Sequence, residues 1–228
     1  MRTPVHTPRF SWSRFFLVAL SASLLGGCSS MPTLGSHHTA GPAYAPRNYS
    51  GEPVMPLGIH RVLLLPLAGG GITDPDTVAT MDPTLHTALQ RQARFEVVTL
   101  SRNDCRNLFQ APEYSSAAAL PNGFMEKLGR IYAVEAIMFV DLTVYRPYRP
   151  LELGFRAKLA TVKDVRLVWT FDETFSASDP ALAAAVQRSA ADHGDTTTPS
   201  ELAPKVLQSP GRLAAFAADA MFKTLPPR

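Results

Sequence analysis

After residue 57, short apolar runs alternate with amphipathic segments, and this pattern predicts strands separated by helices. Ile59 to Leu67 and Phe95 to Leu100 are aliphatic runs bounded by glycine or polar residues, as buried strands are. Between them, one helical face is formed by Leu85, Ala88, Leu89 and Gln92. Asp82 followed by Pro83 predicts the start of that helix, because aspartate caps helices and proline suits the first turn. Strand, helix and strand in succession predict a right-handed parallel crossover.

The middle of the chain predicts two more helices and a central strand. Ser101 is a suitable cap for a short helix through Phe109. A further helix begins at Asn122, and its apolar face is formed by Phe124, Leu128 and Ile131. The run 135–145 (EAIMFVDLTVY) is apolar on both sides from 137 to 140, so we predict a central strand that is covered on both faces.

Two alternating segments follow and predict an antiparallel hairpin. In the first, apolar side chains occupy the odd positions Leu151, Leu153, Phe155, Ala157 and Leu159. In the second, they occupy the odd positions Val165, Leu167, Trp169 and Phe171. Opposed residues must have the same parity if both sets are to face one side. We therefore predict that Thr161 opposes Val165 across an odd-length loop, residues 162–164.

Two C-terminal helices complete the predicted fold class. Asp179-Pro180 and Ser209-Pro210 repeat the pair of a capping residue and a proline, and apolar residues recur at helical spacing after each pair. We predict a single α/β domain with a mixed sheet of about five strands. The sheet consists of the β-α-β crossover, the central strand and the long hairpin, with helices packed on it.

The N-terminal segment has the pattern of an export signal. Arg2, Arg9 and Arg14 precede an apolar run from Phe15 to Leu25, which is too short to span a bilayer as a permanent helix. Leu25-Gly26-Gly27-Cys28 resembles the lipobox of bacterial lipoproteins. The resemblance implies cleavage between Gly27 and Cys28, a diacylglycerol thioether on Cys28 and an N-acyl chain on its amino group. The alternative is an ordinary signal peptide that contains a cysteine.

The lipobox resemblance predicts the location and the domain limits. Three acyl chains exceed the two that make membrane anchoring stable. Ser29, in place of aspartate, implies passage to the outer membrane in many Gram-negative lipoproteins. We predict a signal peptide at 1–27, a lipid-anchored disordered linker at 28–56, rich in small and polar residues, and a periplasmic α/β domain at 57–228.

Charge argues against nucleic acid as a partner. The chain has 22 Lys and Arg and 19 Asp and Glu, and three of the basic residues lie in the predicted signal, which has no acidic residue. The mature chain is therefore formally neutral and has no basic cluster, so no electrostatic reason for nucleic-acid binding remains.

Cysteine and histidine usage predicts neither a disulfide nor a metal site. Lipidation uses Cys28 and leaves Cys105 alone, which favours a small buried side chain over an intermolecular bridge or a reactive thiol. His37 and His38 lie in the predicted linker, where a solvated spacer is favoured over weak metal binding. We expect no metal and no cofactor other than the lipid on Cys28.

Catalytic motifs are missing as well. The glycines at 69–71 follow a strand, but neither GxGxxG nor GxxxxGK[ST] is present, so a flexible connection is favoured over a phosphate loop. Asp172 and Glu173 are adjacent on a strand and point to opposite faces, so they cannot act as a catalytic pair. Asp141 is expected to accept a strand-end hydrogen bond, and Trp169 is expected to pack in the core. No catalytic residue is predicted.

The order of elements behind a lipobox resembles a group of envelope proteins. The group comprises the LpoB-type activators of penicillin-binding proteins, the curli secretion lipoprotein and the amino-terminal domain of TolB. The resemblance is carried by RVLLLPL at 61–67, the helix and strand of 82–100, EAIMFVDLTVY at 135–145 and KDVRLVWTFDETF at 163–175. It implies an outer-membrane lipoprotein with an envelope protein partner and no catalysis. The alternatives are a subunit of a curli-type secretion pore and a cell-wall-active enzyme.

The stretch YRPYRP, residues 145–150, is the candidate partner contact. Its prolines cannot donate ladder hydrogen bonds, so the stretch ends the central strand. One interpretation is a stiff connection with its tyrosines packed on the sheet. The other is an exposed corner that contacts a partner, since tyrosine and arginine dominate interface hot spots. The contact residues would be Tyr145, Arg146, Tyr148 and Arg149.

Overall fold

A six-stranded mixed sheet organises residues 44–192 and 205–228, the part of the chain that a computed structural model describes. The strands, in the sheet order β1-β6-β5-β4-β2-β3, are β1 (Tyr49–Gly51), β2 (Arg61–Leu64), β3 (Glu96–Thr99), β4 (Ala136–Arg146), β5 (Glu152–Thr161) and β6 (Leu167–Ser176). The helices are α1 (Pro75–Arg91), α2 (Arg102–Phe109), α3 (Phe124–Tyr132), α4 (Pro180–Asp192) and α5 (Pro210–Lys223). The predicted α/β class is confirmed, with one strand more than expected.

Parallel and antiparallel strands divide the sheet into two halves. β2 pairs in parallel with both β3 and β4, and α1 forms the predicted crossover between β2 and β3. β4, β5 and β6 form an antiparallel meander, and β1 adds to its edge. The parallel half therefore has a carboxyl edge, where α/β proteins commonly bind ligands, and the antiparallel half has exposed turns at both ends.

The two sheet faces are covered to different extents. On the first face, α1, α4 and α5 bury one large cluster that includes Phe155, Trp169 and Met221. On the second face, α2 and α3 bury a smaller cluster that includes Leu63, Phe124 and Phe139. The second faces of β5 and β6 beyond that cluster carry polar side chains, Arg156, Lys158, Thr170 and Asp172.

The first helix begins earlier than the Asp82-Pro83 pair predicts. α1 starts at Pro75, and Asp74 caps it by accepting a hydrogen bond of 2.8 Å from the backbone N–H of Thr77. Pro83 lies inside the helix. The buried face runs back from Leu85 to Met81 and Val78. Burial of these two side chains offsets the hydrogen bond that Pro83 cannot donate, and their three- and four-residue spacing was the available signal.

The hairpin has the predicted parity and a different turn. Leu153 opposes Phe175, Ala157 opposes Phe171 and Leu159 opposes Trp169, which confirms that the odd-numbered residues share a face. The predicted opposition of Thr161 and Val165 is wrong. Near the turn the register shifts and Ala160 opposes Leu167, so that Val168 is an extra, bulged residue and the connection runs over 162–166.

The bulge changes which side chains are buried. Val168 turns into the first-face cluster and is 1% exposed, whereas Leu167 and Val165, which the alternation places in the core, are exposed. A one-residue shift of register moves a side chain to the other face. Ile131 of α3 is exposed too, although its helical spacing from Leu128 predicts burial. The last turn of α3 packs on the cluster through Tyr132 instead, and Ile131 is left on the solvent side.

The folded part begins before the predicted boundary at residue 57. Tyr44 packs its ring 5.9 Å from that of Phe175, and β1 pairs with β6, with Tyr49 opposite Phe171. The polar composition of this segment does not indicate a strand, because β6, with which β1 pairs, lies far along the chain. The chain thus reaches the sheet beside the end of β6 and runs along β6 towards its start. Residues 1–43 lie outside the described residues.

Candidate interaction surfaces

The carboxyl edge of the parallel strands is the first place to look for a ligand site. In open α/β sheets, ligands bind in the crevice where successive crossovers leave in opposite directions, which here is between β2 and β4. The chain that follows β2 closes this crevice. The Ala68 N–H donates to the carbonyl of Val140 at 2.9 Å, and the Leu142 N–H donates to the carbonyl of Ala68 at 2.8 Å. Backbone groups of the protein therefore occupy the space that a ligand would need.

A partly buried ion cluster fixes this edge. The Arg102 guanidinium donates to both carboxylate oxygens of Asp82, at 2.8 and 3.0 Å, to a carboxylate oxygen of Glu113 and to the backbone carbonyl of Leu67. Burial by itself lowers the pKa of Arg102, but the hydrogen bonds and charges of Asp82 and Glu113 outweigh burial and raise it. The three groups come from α1, the start of α2 and the loop after α2, and they act as a clamp.

The carboxylates of this cluster also bind the glycine loop. A Glu113 oxygen accepts from the Gly69 N–H at 2.7 Å, and an Asp82 oxygen accepts from the Leu67 N–H at 2.9 Å. A phosphate loop needs such N–H groups free to face its ligand. The Gly69 N–H is bound to a carboxylate instead, so the loop is a connection rather than a phosphate loop, but one that Glu113 holds in place rather than the flexible connection that was expected.

Asp141 has a structural partner as well. It is 5% exposed, and it accepts from the Ser116 N–H at 2.9 Å and from the Ser116 hydroxyl at 2.5 Å. Lys158 donates to the Ser116 carbonyl at 2.8 Å. The expectation of a hydrogen-bond acceptor is confirmed, although β4 continues past Asp141 to Arg146. A separate cavity, bounded in part by Pro66, Asp82 and Thr99, measures about 30 Å³, which is room for no more than one or two waters.

The other candidate chemical groups also have structural partners. Arg156 donates to Asp172 at 2.8 Å, whereas Glu173, on the opposite face, accepts from the Arg47 N–H at 2.7 Å. The indole N–H of Trp169 donates to the Thr224 hydroxyl at 3.1 Å inside the core, as predicted. In residues 44–192 and 205–228, no group of three or more His, Cys, Asp or Glu side chains is arranged to hold a metal.

Cys105 is a buried thiol, which confirms the favoured interpretation. Its side chain belongs to the cluster under α2 and is fully buried. Burial raises the pKa of the Cys105 thiol to about 11, against the opposing effect of the Arg102 charge. A thiol with such a pKa is a poor nucleophile at neutral pH.

The predicted contact residues form the corner between β4 and β5, residues 145–150, and differ in exposure. Tyr148 is 80% exposed at the tip of the corner, and Arg149 beside it is exposed too. Arg146 pairs with Glu152 at 2.9 Å across the strands. Tyr145 is half-buried against the first-face cluster, and its pKa is raised by burial, then by the charge of Asp74. Tyr145 therefore packs on the sheet and Tyr148 faces solvent, and contact of this corner with a partner stays a prediction.

A shallow groove of about 350 Å³ lies beside this corner. Arg149, Pro150 and Leu151 form one wall, and Ala177 and Leu207 face them. This is the same end of the sheet at which Tyr44 joins it, because Phe175 opposes Leu153 and Leu153 opposes Tyr145. The corner therefore lies on the side from which the N-terminal chain arrives.

A second exposed surface lies at the opposite end of β5 and β6. We define the tip surface as four apolar side chains and two cations, namely Val54, Ile131, Val165, Leu167, Arg130 and Lys163. The four apolar side chains are 51–59% exposed. Sequence periodicity predicts that three of them, Ile131, Val165 and Leu167, are buried. The structure exposes all three, because the strand is bulged at Val168 and Ile131 lies at the end of α3. The available signal was the excess of apolar residues in KDVRLVW, which one strand face cannot bury.

Gly27, Cys28, His37 and His38 lie outside the described residues, so the lipid anchor and the linker histidines stay predictions. Among the helices of the described residues, none has the length and apolar character needed to cross a membrane.

Comparisons with known proteins give a likeness of fold. No family model and no curated protein matches the sequence. A PelC dodecamer from Paraburkholderia phytofirmans is 12% identical over 79% of this chain and 96% of that chain, with a TM-score of 0.46. Lipoprotein GNA1162 from Neisseria meningitidis is 16% identical over 60% and 99%, with a TM-score of 0.40. The LpoB C-terminal domain from Salmonella enterica is 14% identical over 54% and 87%, with a TM-score of 0.36.

Proposed function

We propose that this protein is an outer-membrane lipoprotein, anchored through Cys28, whose periplasmic domain binds another envelope protein without catalysis. The observation that carries the proposal is the closed carboxyl edge of the sheet. The groups that could serve catalysis there, Asp82, Glu113 and Asp141, are engaged by Arg102, Ser116 and backbone N–H groups. A domain that fills its own ligand crevice and exposes aromatic and apolar side chains at the ends of its strands suits binding to a macromolecule.

The anchor is tested by fractionation. The Cys28→Ser variant is expected in the soluble periplasmic fraction, because it has no acyl chains, whereas the parent sediments with the outer membrane. Ser29→Ala, which keeps the lipobox cysteine, is the matched control and is expected to sediment like the parent. Membrane retention of Cys28→Ser would contradict the anchor.

The partner contact is tested at the corner. Tyr148→Ala combined with Arg149→Ala removes two exposed side chains that the core does not need. Cross-linking and capture of the mature protein from its native envelope should lose the partner with this variant and keep it with Thr174→Ala, an exposed change on β6. Equal capture by both variants would show that the corner is only a turn.

The two alternatives make different predictions. A curli-type pore subunit would form detergent-resistant rings and conduct ions across planar bilayers, and the proposed module does neither. A cell-wall-active enzyme would cleave peptidoglycan fragments and lose that activity on a single carboxylate substitution. Conductance or cleavage by the purified mature protein would overturn the proposal.

A further inference from the structure

One edge of the sheet is open to a further strand. Within residues 44–192 and 205–228, β3 is the last strand in the sheet order and pairs only with β2. The Glu96 N–H donates to the carbonyl of His60 at 2.8 Å, so the even-numbered residues of β3 face β2. The backbone groups of Val97 and Thr99 therefore point away from the sheet, and in the described part of the chain they have no hydrogen-bond partner. An exposed edge of this kind is a template for another strand.

β3 lacks the features that usually protect an edge. Natural sheets cover an edge, bulge it, or place prolines and charged side chains on it. At the opposite edge, Pro46 and Pro53 stand on either side of β1. β3 has no proline, its pairing with β2 has no register shift, and its one charged side chain, Glu96, is paired with Arg61 of β2 at 3.1 Å. An incoming strand would therefore meet neither a missing N–H nor an unpaired charge.

Apolar side chains flank the free backbone groups on both faces of the sheet. Val97 packs on the first-face cluster and Val98 packs on the cluster of the second face, and both valines are only half-buried. α1 packs beside β3 on the first face. A further strand would cover the exposed parts of both valines, as happens to a strand that lies inside a sheet. The edge thus offers apolar contact as well as hydrogen bonds.

A second copy of β3 satisfies this edge in one register. Two copies that are related by a two-fold axis perpendicular to the sheet run antiparallel and keep their first faces on the same side. Their outward backbone groups meet only if odd-numbered residues oppose odd-numbered residues. An axis through Val97 meets this condition, and the two Val97 residues then exchange both of their N–H···O bonds. In that register Glu96 opposes Val98, and Thr99 opposes Phe95.

The other odd-numbered registers fail at the ends of β3. An axis through Phe95 would bring Val97 opposite Ala93, which has a φ of 52° and is not extended. An axis through Thr99 would bring Phe95 opposite Asn103, which lies inside α2. The axis through Val97 keeps the whole of β3 paired and places two valines, rather than two like charges, at its centre. This self-complementarity favours a second copy of the chain as the occupant of the edge.

We infer that two copies of this protein pair through β3, so that their six-stranded sheets join into one. The partner at this edge is the chain itself, whereas the proposed function concerns a different envelope protein at the corner. The corner follows β4, and β2 lies between β4 and β3 in the sheet, so each surface can be altered alone. Loss of the β3 contact with an intact corner would remove this inference and leave the proposed function standing.

Disulfide cross-linking of the full chain in the native bacterium tests the register. The Cα atoms of a hydrogen-bonded antiparallel pair lie about 5.5 Å apart, a distance that a disulfide can span. With a mild oxidant added, Val97→Cys should therefore give a disulfide-linked species of twice the chain's mass on a non-reducing gel. Thr99→Cys is the matched control on the same edge, because the axis places its two copies about 13 Å apart along the strand. It should give no such species, and neither should the parent, in which Cys105 is buried.

Light scattering of the purified full chain in detergent tests the contact without a covalent bond. The parent should have the protein mass of two chains. Thr99→Pro removes an N–H that points away from the sheet and that the single chain does not use. The dimer loses the hydrogen bond between Thr99 and Phe95 at two equivalent positions, so its dissociation constant should rise at least about tenfold. Thr99→Ala keeps the N–H and should leave the dissociation constant unchanged, and a cooperative thermal transition in both variants shows that they fold.

Four outcomes would overturn the inference. They are no disulfide-linked dimer with Val97→Cys, an equally abundant dimer with Thr99→Cys, the mass of one chain for the parent in light scattering, and a dissociation constant that Thr99→Pro leaves unchanged. A disulfide between the Val97→Cys variant and a different protein, without the dimer, would assign the edge to a strand of that protein and would overturn the inference as well.

Discussion

The two ends of the sheet use polar and apolar side chains in opposite ways. At the carboxyl edge near the corner, charged groups are brought inward, and Arg102 pairs with both Asp82 and Glu113 while the two carboxylates hold the loop after β2. At the tip surface, apolar side chains such as Leu167 turn outward and Lys163 has no ion pair within the described residues. The first arrangement makes that edge rigid and closes it to ligands, and the second leaves a surface that a partner can cover.

The largest expected effect is at the closed edge. Arg102→Met leaves Asp82 and Glu113 with their charges partly buried and unpaired, which should lower the free energy of unfolding by about 3 kcal/mol. Arg106→Met, an exposed change on the same helix, should cost less than about 0.5 kcal/mol. Urea unfolding of both variants measures the difference. A loss below about 1 kcal/mol for Arg102→Met would mean that the cluster is not a clamp.

The bulge gives the next largest effect. Val168→Ala should cost about 2 kcal/mol, because Val168 is buried in the first-face cluster. Leu167→Ala should change stability by less than about 0.5 kcal/mol. Strict alternation along β6 predicts the reverse order. Thermal or urea unfolding of the two variants therefore tests directly whether the register shifts next to the turn.

Packing between α3 and the β5–β6 turn gives an effect of about 1 kcal/mol. Gly129→Ala should gain about 1 kcal/mol of helix propensity but lose roughly 2 kcal/mol through the clash with Val162. Gly211→Ala in α5, where a Cβ meets nothing, should be neutral or stabilising. In a Val162→Ala background the cost of Gly129→Ala should disappear. An unchanged cost in that background would show that α3 does not pack on the β5–β6 turn.

The smallest effect concerns pH. The pKa of Cys105 is raised to about 11 by burial, whereas an unfolded thiol titrates near 8.5. The stabilisation from keeping Cys105 protonated is fully present below about pH 8.5 and is lost as the pH rises towards 11. Between pH 7.5 and 9.5 the parent should lose about 1 kcal/mol more than Cys105→Ala. Parallel slopes for the two proteins would contradict a buried thiol.

The strands and most helices were predictable because their signals are local. The alternation from Leu153 to Leu159 directly indicates a strand with one buried face. The apolar run at 137–140 directly indicates a strand that is buried on both faces. The Arg102 cluster was not predictable, because Asp82 and Glu113 lie 20 and 11 residues away along the chain and meet only after the crossover has formed. Asp82 was mistaken for a cap for the same reason.

The tip surface was missed for a related reason. Register next to a turn depends on how the turn closes, and a single bulged residue exchanges the faces of Leu167 and Val168. The end of β4 at the corner was predicted correctly, because Pro147 and Pro150 limit the strand whatever the rest of the chain does. Exposure at Tyr148 followed from that local rule.

Amide hydrogen exchange of the mature domain, with and without the captured partner, tests most directly the claim that this protein binds at the ends of its sheet. We predict that the partner slows exchange at 129–132 and 162–167, at 146–151, or at both ends, and leaves 65–69 and 113–116 unchanged. The loops at 65–69 and 113–116 close the carboxyl edge. Slowed exchange centred on these loops would contradict the account, because it would show that the carboxyl edge is a binding site.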